Sequence, residues 1–331
     1  MFLERVALYE QLEESRQSKV LVYATSDKRG METQIAEDTT EYFIEHLDKI
    51  GVVKKITLVL HTSGGSTLAA WNIVNLIRQF CDDFEIIVPV KARSAGTLMC
   101  LAANRIVMTK QATLGPIDPS VNTPLNPHIE GAGPLARMPV SVEAIKGFLE
   151  LAKKELNIRD DKALASVFLS LSEKVHPLAL GEVYRAISQI QMLAEKLLRN
   201  QISDEDKIKR IVAFLCSESG SHDYTINRRE ARNSLGLNIE TPDYALYECI
   251  RSIYQDIKTE LDLGMAFDPN SMLAKNSNTN YCIRRGLVES LAGKTDAFIT
   301  QGTLTRIVVP NNPHQSVIND QRTFEGWKHY E

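Results

Sequence analysis

No stretch of the chain is apolar for long enough to cross a bilayer, and the N-terminal Met-Phe-Leu-Glu-Arg-Val-Ala-Leu-Tyr-Glu lacks the apolar core of a signal peptide. Neither a membrane span nor a secretory leader is expected, and a cytoplasmic location is. Five cysteines, Cys81, Cys100, Cys216, Cys249 and Cys282, are scattered, odd in number and without metal-ligand spacing. That argues against a disulfide framework or a metal site, and for a reduced chain. Neither sign of charge dominates: 38 Lys and Arg stand against 42 Asp and Glu, so no nucleic-acid partner is expected. No ATPase signature, internal repeat or low-complexity segment is found. What remains is an ordinary globular composition, 44% hydrophobic and 24% charged, over 331 residues, room for one large or two modest domains.

The informative stretch runs from Lys54 to Pro119. Three short, β-branched apolar runs, at Ile56–Leu60, Phe84–Val90 and Arg105–Thr109, each end in a turn rich in Gly, Ser or Pro. Such runs predict buried parallel strands whose exits build a site. The first exit is His61-Thr62-Ser63-Gly64-Gly65-Ser66, followed by a helical pattern at Thr67–Phe80. A glycine turn leading into a helix presents free N–H groups to an anion, either a phosphate or a transient oxyanion. The turn has neither a P-loop ending nor a dinucleotide fingerprint, so a nucleotide is not supported and no cofactor is implied. The second exit, Ala92-Arg93-Ser94-Ala95-Gly96-Thr97, puts Ser94 on a tight strand-to-helix turn. That is the mechanical logic of a nucleophile elbow, although Gly-x-Ser-x-Gly is absent. Serine is also favoured as a helix N-cap, and Ser94 by itself fits both roles.

The glycine-pair turn, the Ser-Ala-Gly after the next strand, Ala102-Ala103-Asn104-Arg105-Ile106-Val107-Met108 and the turn Leu114-Gly115-Pro116-Ile117-Asp118-Pro119 together resemble the Clp-protease and crotonase superfamily. Within it the chain looks most like the serine dehydrogenase proteinase family, related to signal peptide peptidases. The likeness covers roughly 18–120 and returns at 219–237, where Glu230-Ala231 and Leu235-Gly236-Leu237 match the element that closes the Clp-like catalytic core. The resemblance implies an α/β fold of stacked βαβ units around a central sheet, and a serine peptidase acting through an acyl-enzyme. Where the Clp proteolytic subunit has its aspartate, this chain has His222; where that subunit has its histidine, this chain has Asp118. The implied triad is therefore Ser94 as nucleophile, His222 as base and Asp118 as orienter, with Gly64, Gly65 and Ala95 supplying oxyanion donors. Chain order is no obstacle, because triads are defined by geometry. Asp118 also suits a plain turn residue between Pro116 and Pro119. His222 also suits a surface or capping role.

A Ser–Lys dyad, as in signal peptide peptidases, is the rival mechanism, with Lys146 or Lys153 as base and neighbouring Lys154 considered beside them. These lysines also suit a solvated helix face. His61 is expected to shape the oxyanion pocket or bind substrate backbone, Cys100 to pack, and His46, His314 and His329 to lie at the surface. Two other classes stay open: a crotonase-type acyl-thioester enzyme, and a catalytically silent oligomeric scaffold. The superfamily also implies a homo-oligomer.

Along the rest of the chain, helices are expected at 2–17, 35–50, 142–156, 160–171, 179–200, 207–217 and 244–263, and a long loop at 120–139. From Ser277 the texture turns to β, with hairpin turns read at 293–296 and 301–303 and a polar tail from Asn311 to Glu331. The expected organisation is a peptidase core at 1–240 with a helical insertion at about 140–218, then a small C-terminal β-rich extension at 241–331.

Overall fold

The β-branched runs of the N-terminal half become parallel strands because every alternate side chain has a covered face to enter. In a computed structural model of the chain, residues 1–117, 120–133, 135–218, 221–309 and 312–330 are described. In order come α1 (Phe2–Arg16), β1 (Lys19–Thr25), α2 (Thr40–Ile50), β2 (Val53–His61), α3 (Thr67–Gln79) and β3 (Cys81–Val88). Next are α4 (Ala95–Leu101), β4 (Arg105–Met108), α5 (Val142–Glu150), α6 (Asp161–Lys174), α7 (Pro177–Leu198) and α8 (Glu205–Ala213). The chain continues with α9 (Arg228–Asn233), β5 (Ile239–Glu240), α10 (Tyr244–Glu260), α11 (Pro269–Leu273), β6 (Asn278–Ser290), β7 (Lys294–Val309) and β8 (Asn312–Tyr330). Two compact units result, Met1–Leu114 with Asn227–Glu331, and Gly115–Ile226.

The first unit is built on one mixed sheet in the order β5-β4-β3-β2-β1-β6-β7-β8. β5 to β1 pair in parallel, and β1 pairs antiparallel with β6, which starts the long antiparallel ribbon β6-β7-β8. Val20, Val22, Ala24, Val59, Ile87 and Val107 point to one face, against Tyr9 and Leu12 of α1 and Ile250 and Ile253 of α10. Alternate residues serve the other face: Tyr23 of β1 meets Phe43 of α2 edge to face at 5.3 Å. The mixed α/β fold and the C-terminal β-rich part are thus as the sequence implies.

Three local expectations change. The second helix begins at Thr40, after a single 3-10 turn at Glu37–Thr39, because Ile35 is engaged in a parallel bridge to Gly65. Gln301-Gly302-Thr303 is no turn: β7 runs straight through it, with a register shift between Gln301 and Gly302. A side chain at Gly302 would lie 2.8 Å from the Gln321 carbonyl and the Tyr281 hydroxyl, so glycine is what that bulge accepts. The stretch read as a tail is β8, hydrogen-bonded along β7 from Asn312 to Tyr330.

In the second unit a short antiparallel pair, Ser120–Val121 with Val140–Ser141, closes the base of the proline-rich loop. Val121, Val140, Val142 and Val183 form its small core. α5 and α8 each run on into a π-helical turn, Leu151–Glu155 and Phe214–Glu218. α6 buries none of its residues. Among the described residues no helix is long and apolar enough to cross a membrane.

Candidate active site

The chain leaves β3 at Val88 and enters α4 through Lys91–Ala92, a short extended pair, and then Ser94. Thr62 at the exit of β2 brackets this turn: its N–H donates to the Lys91 carbonyl (3.1 Å), and Arg93 N–H donates to the Thr62 carbonyl (3.2 Å). Behind Ser94, the Gly96 N–H donates to the Arg93 carbonyl (2.8 Å) and the Thr97 hydroxyl to the Ala92 carbonyl (2.8 Å). A side chain at Gly96 would sit 2.4 Å from the Thr62 methyl, so its absence lets α4 lie directly on the β2 exit. Held on both sides, Ser94 adopts φ 50° and ψ −118°, a backbone conformation that non-glycine residues rarely take. Such a conformation costs about 1–3 kcal/mol and marks a site where surrounding structure over-determines the backbone.

The N-cap reading of Ser94 can be separated from the elbow reading by comparison with Ser66. Both residues precede helices. Ser66 has an extended backbone and its hydroxyl accepts the Ala69 N–H at 3.2 Å, as an N-cap should. The Ser94 hydroxyl makes no cap hydrogen bond. Ser94 is also half-buried where all of α4 behind it is buried, so the hydroxyl sits at the margin of a rigid core.

The glycine turn lies against Ser94. A side chain at Gly64 (φ 116°) would come 2.8 Å from the Ser94 Cβ and 3.3 Å from its Oγ. One at Gly65 (φ 146°) would come 2.3 Å from the Ile35 carbonyl oxygen. The two glycines therefore have different duties: the first allows the turn to reach the serine, and the second allows Ile35 to reach the turn. Their N–H groups differ as well. Gly64 N–H donates to the Thr62 hydroxyl (3.0 Å), which itself accepts from Thr25 (2.8 Å). Ile35 N–H donates to the Gly64 carbonyl and Ser66 N–H to the Ile35 carbonyl, both at 2.8 Å. In a parallel bridge bonded this way, the middle residue, Gly65, turns its own N–H away from Ile35. Ala95, first residue of α4, has no acceptor within its helix for its N–H.

His61, one residue before Thr62, is buried (3% exposed), and neither ring nitrogen has a hydrogen-bond partner. Its ring packs against Tyr254 of α10 at 5.2 Å. Burial pushes its pKa down to about 4, and nearby Lys91 adds to this while Asp27 opposes it. Lys91 and Asp27 are themselves paired at 2.5 Å.

The family model described as ClpP-like SDH-type serine proteinase matches residues 34–131. Two uncharacterized proteins of Methanocaldococcus jannaschii are similar to the chain: one is 31% identical over 188 residues, 57% of this chain and 54% of that protein. The other is 28% identical over 186 residues, 56% of this chain and 52% of that protein. The chain thus spans about half the length of the curated relatives it matches. Among solved structures, a variant of the 1510-N membrane-bound stomatin-specific protease aligns at 16% identity and TM-score 0.38, covering 74% of this chain and 86% of that one. A ClpP1 variant from Listeria monocytogenes aligns at 13% identity and TM-score 0.38, covering 72% and 99%.

Of the site residues expected from the sequence, the exits of β2 and β3 bring Ser94, Ala95, Gly64 and Gly65 together. Asp118 lies outside the described residues. His222, Lys146 and Lys153 belong to the second unit, where all three are exposed or nearly so: His222 sits in the turn closed by the Tyr224 N–H to Ser221 carbonyl bond (3.0 Å), and Lys146 lies 4.0 Å from Glu150. Lys154 is 3.5 Å from the same Glu150 and 69% exposed. Cys100 is fully buried and burial raises its thiol pKa, as suits packing.

His46, expected at the surface, is instead fully buried. Its Nδ1 bonds the Ser290 hydroxyl (2.8 Å) and its Nε2 the Asp296 carboxylate (2.9 Å), whose other oxygen meets His329 Nδ1 (3.0 Å). The partners lie 244 and 250 residues away, so only the sheet closing through β6 and β7 reveals the grouping. Ser290, His46 and Asp296 thus have the hydrogen-bond order of a triad, yet each is at most 1% exposed. They clasp α2 to the C-terminal strands.

Proposed function

We propose that the chain is a serine peptidase that hydrolyses peptides or proteins through an acyl-enzyme at Ser94. The observation that carries this reading is the Ser94 turn: a non-capping hydroxyl on a forced backbone, with the side-chain-free Gly64 pressed against it. In the proposed cycle, Ser94 Oγ attacks the scissile carbonyl carbon as His222 takes the hydroxyl proton, and Asp118 orients the imidazole. The carbonyl oxygen becomes an oxyanion and receives the Gly65 and Ala95 N–H groups; Gly64 shapes that hole, its own N–H being given to Thr62. His222 then returns the proton to the leaving amine, and water repeats the sequence to free Ser94. The family match to serine proteinases supports the reaction class. The swapped acid and base, the peptide or protein substrate, a homo-oligomer, a cytoplasmic location and the division at about residue 240 belong to the same proposal.

The test is hydrolysis of unstructured protein and fluorogenic peptides by the wild type beside Ser94→Ala, His222→Ala, Lys146→Met and Lys153→Met. The proposal expects the first two to lose turnover alike and the lysine variants to keep it. Normal turnover by folded His222→Ala with loss in a lysine variant would replace the triad by a Ser–Lys dyad. Normal turnover by Ser94→Ala would end the reading.

A further inference from the structure

β6 contains a bulge in which the pairing passes from Arg284 opposite Ile299 directly to Gly286 opposite Phe298. The extra residue is Arg285. A bulge re-aims its side chain, and here the guanidinium crosses to the loop after β1. Its Nε donates to the Met31 carbonyl (2.9 Å) and one terminal nitrogen to the Glu32 carbonyl. The other terminal nitrogen donates to the Thr300 hydroxyl (2.8 Å) and the Glu325 carboxylate (2.9 Å). Phe298 lies under the group at 5.4 Å. A buried cation with this many backbone and side-chain acceptors is a rigid staple.

What the staple holds is the segment leading to Ile35, which bridges to the glycine turn at Gly65. Met31 is sealed into a small core with Leu273, Tyr281 and Leu304. The loop is closed at its base by Ser26 N–H to the Arg285 carbonyl (2.8 Å) and Thr33 N–H to the Ser26 carbonyl (2.9 Å). Ile35, buried and three residues past Glu32, holds Gly65 from both sides: its N–H donates to the Gly64 carbonyl and its carbonyl accepts the Ser66 N–H. Because the Gly64–Gly65 peptide is planar and trans, pinning the Gly64 carbonyl to Ile35 N–H fixes the opposite direction for the Gly65 N–H. Contact at Gly65 leaves no slack, for even a methyl group would overlap Ile35.

We propose that Arg285 is a positioning residue for the candidate oxyanion turn, acting through the 31–35 segment and Ile35 on the Gly65 N–H. The inference rests on the reading of Gly65 as an oxyanion donor. It assigns to the C-terminal strands, which lie outside the family match at 34–131, a part in setting the site.

The test pairs hydrogen exchange with kinetics on the full chain. In Arg285→Met, exchange in peptides spanning 28–36 and 62–67 should quicken about tenfold or more, while peptides from β3 and α10 keep the wild-type rate. For the same variant kcat should fall about tenfold or more with KM nearly unchanged, since orientation of a transition-state donor is what is lost. Arg285→Lys keeps the charge but reaches fewer acceptors, and should fall between wild type and Arg285→Met. Glu325→Gln loosens the staple from behind and should shift the same two peptides less, which keeps the test open if Arg285→Met does not fold. Unchanged exchange at 62–67 in a folded variant would overturn the proposal, as would loosening at 28–36 that stops short of 62–67. A wild type that never acylates Ser94 would defeat the functional reading instead, and the exchange result would still decide the coupling.

Discussion

Two serines in the first unit invite opposite conclusions from the same kind of evidence. Ser290 has the company expected of a nucleophile: a histidine within 2.8 Å, with an aspartate 2.9 Å beyond it. Ser94 has a rare backbone conformation, a non-capping hydroxyl and a glycine turn against it. The first group is sealed, Gly293 being so close that a side chain there would lie 2.3 Å from His46 Nδ1. The second stands at the exits of parallel strands, where open α/β sheets place their ligands. Hydrogen-bond order alone therefore does not identify a reacting serine. Of the two, Ser94 is the one partly exposed and set against a glycine turn, which is why it is the proposed nucleophile.

The widest separation between the two serines should appear in turnover. Ser94→Ala should lower kcat by a factor on the order of 10⁴ or more, whereas Ser290→Ala should leave activity per folded molecule nearly unchanged. An inactive but stable Ser290→Ala protein would break the comparison. Next in size is Gly64→Ala, where the added methyl meets Ser94 and the φ of 116° is strained. A loss of about a hundredfold in kcat is expected from displacing the proposed nucleophile, read as single-turnover acylation.

Stability should report the reverse order. Ser290→Ala strands His46 Nδ1 and the Gly293 N–H, which donates to the same hydroxyl at 2.8 Å. A cost of about 1–3 kcal/mol follows for leaving buried groups unmatched, measurable by urea unfolding, and Asp296→Asn should weaken the same clasp.

Acid sensitivity should trace to His61. Its folded pKa is lowered to about 4 from 6.5, so between these values the unfolded chain binds more protons and stability falls as pH falls. That contribution is complete above pH 6.5 and has run out near pH 4, for a total of about 3 kcal/mol. His61→Leu should flatten Tm against pH in this window; an unchanged slope would remove His61 as the cause. The smallest effect is expected at Lys146 and Lys153, whose substitution should change turnover by less than about threefold, since Lys153 is exposed and the loose Lys146–Glu150 ion pair at the surface contributes little.

The sequence made the first part of this comparison legible and hid the second. The runs at Ile56–Leu60 and Phe84–Val90 disclose parallel strands because each carries its own apolar pattern, and Gly64, Gly65 and Ser94 mark their exits. Local pattern also suggests the C-terminal strands. It does not tell that β6 pairs with β1, that Ile35 serves the glycine turn rather than opening a helix, or that His46 meets Ser290. Those contacts join residues brought together only by the closed sheet, and a polar composition such as that of residues 312–330 looks the same in an edge strand as in a tail. The bulge that turns Arg285 toward Met31 leaves no mark in the sequence at all.

The most direct measurement is labelling of the folded protein with a fluorophosphonate probe, with the modified residue located by mass spectrometry. A single adduct on Ser94, absent from Ser94→Ala and never on Ser290, is the result expected here. An adduct elsewhere that survives Ser94→Ala, or none on protein that hydrolyses peptides, would contradict the assignment of Ser94 as nucleophile.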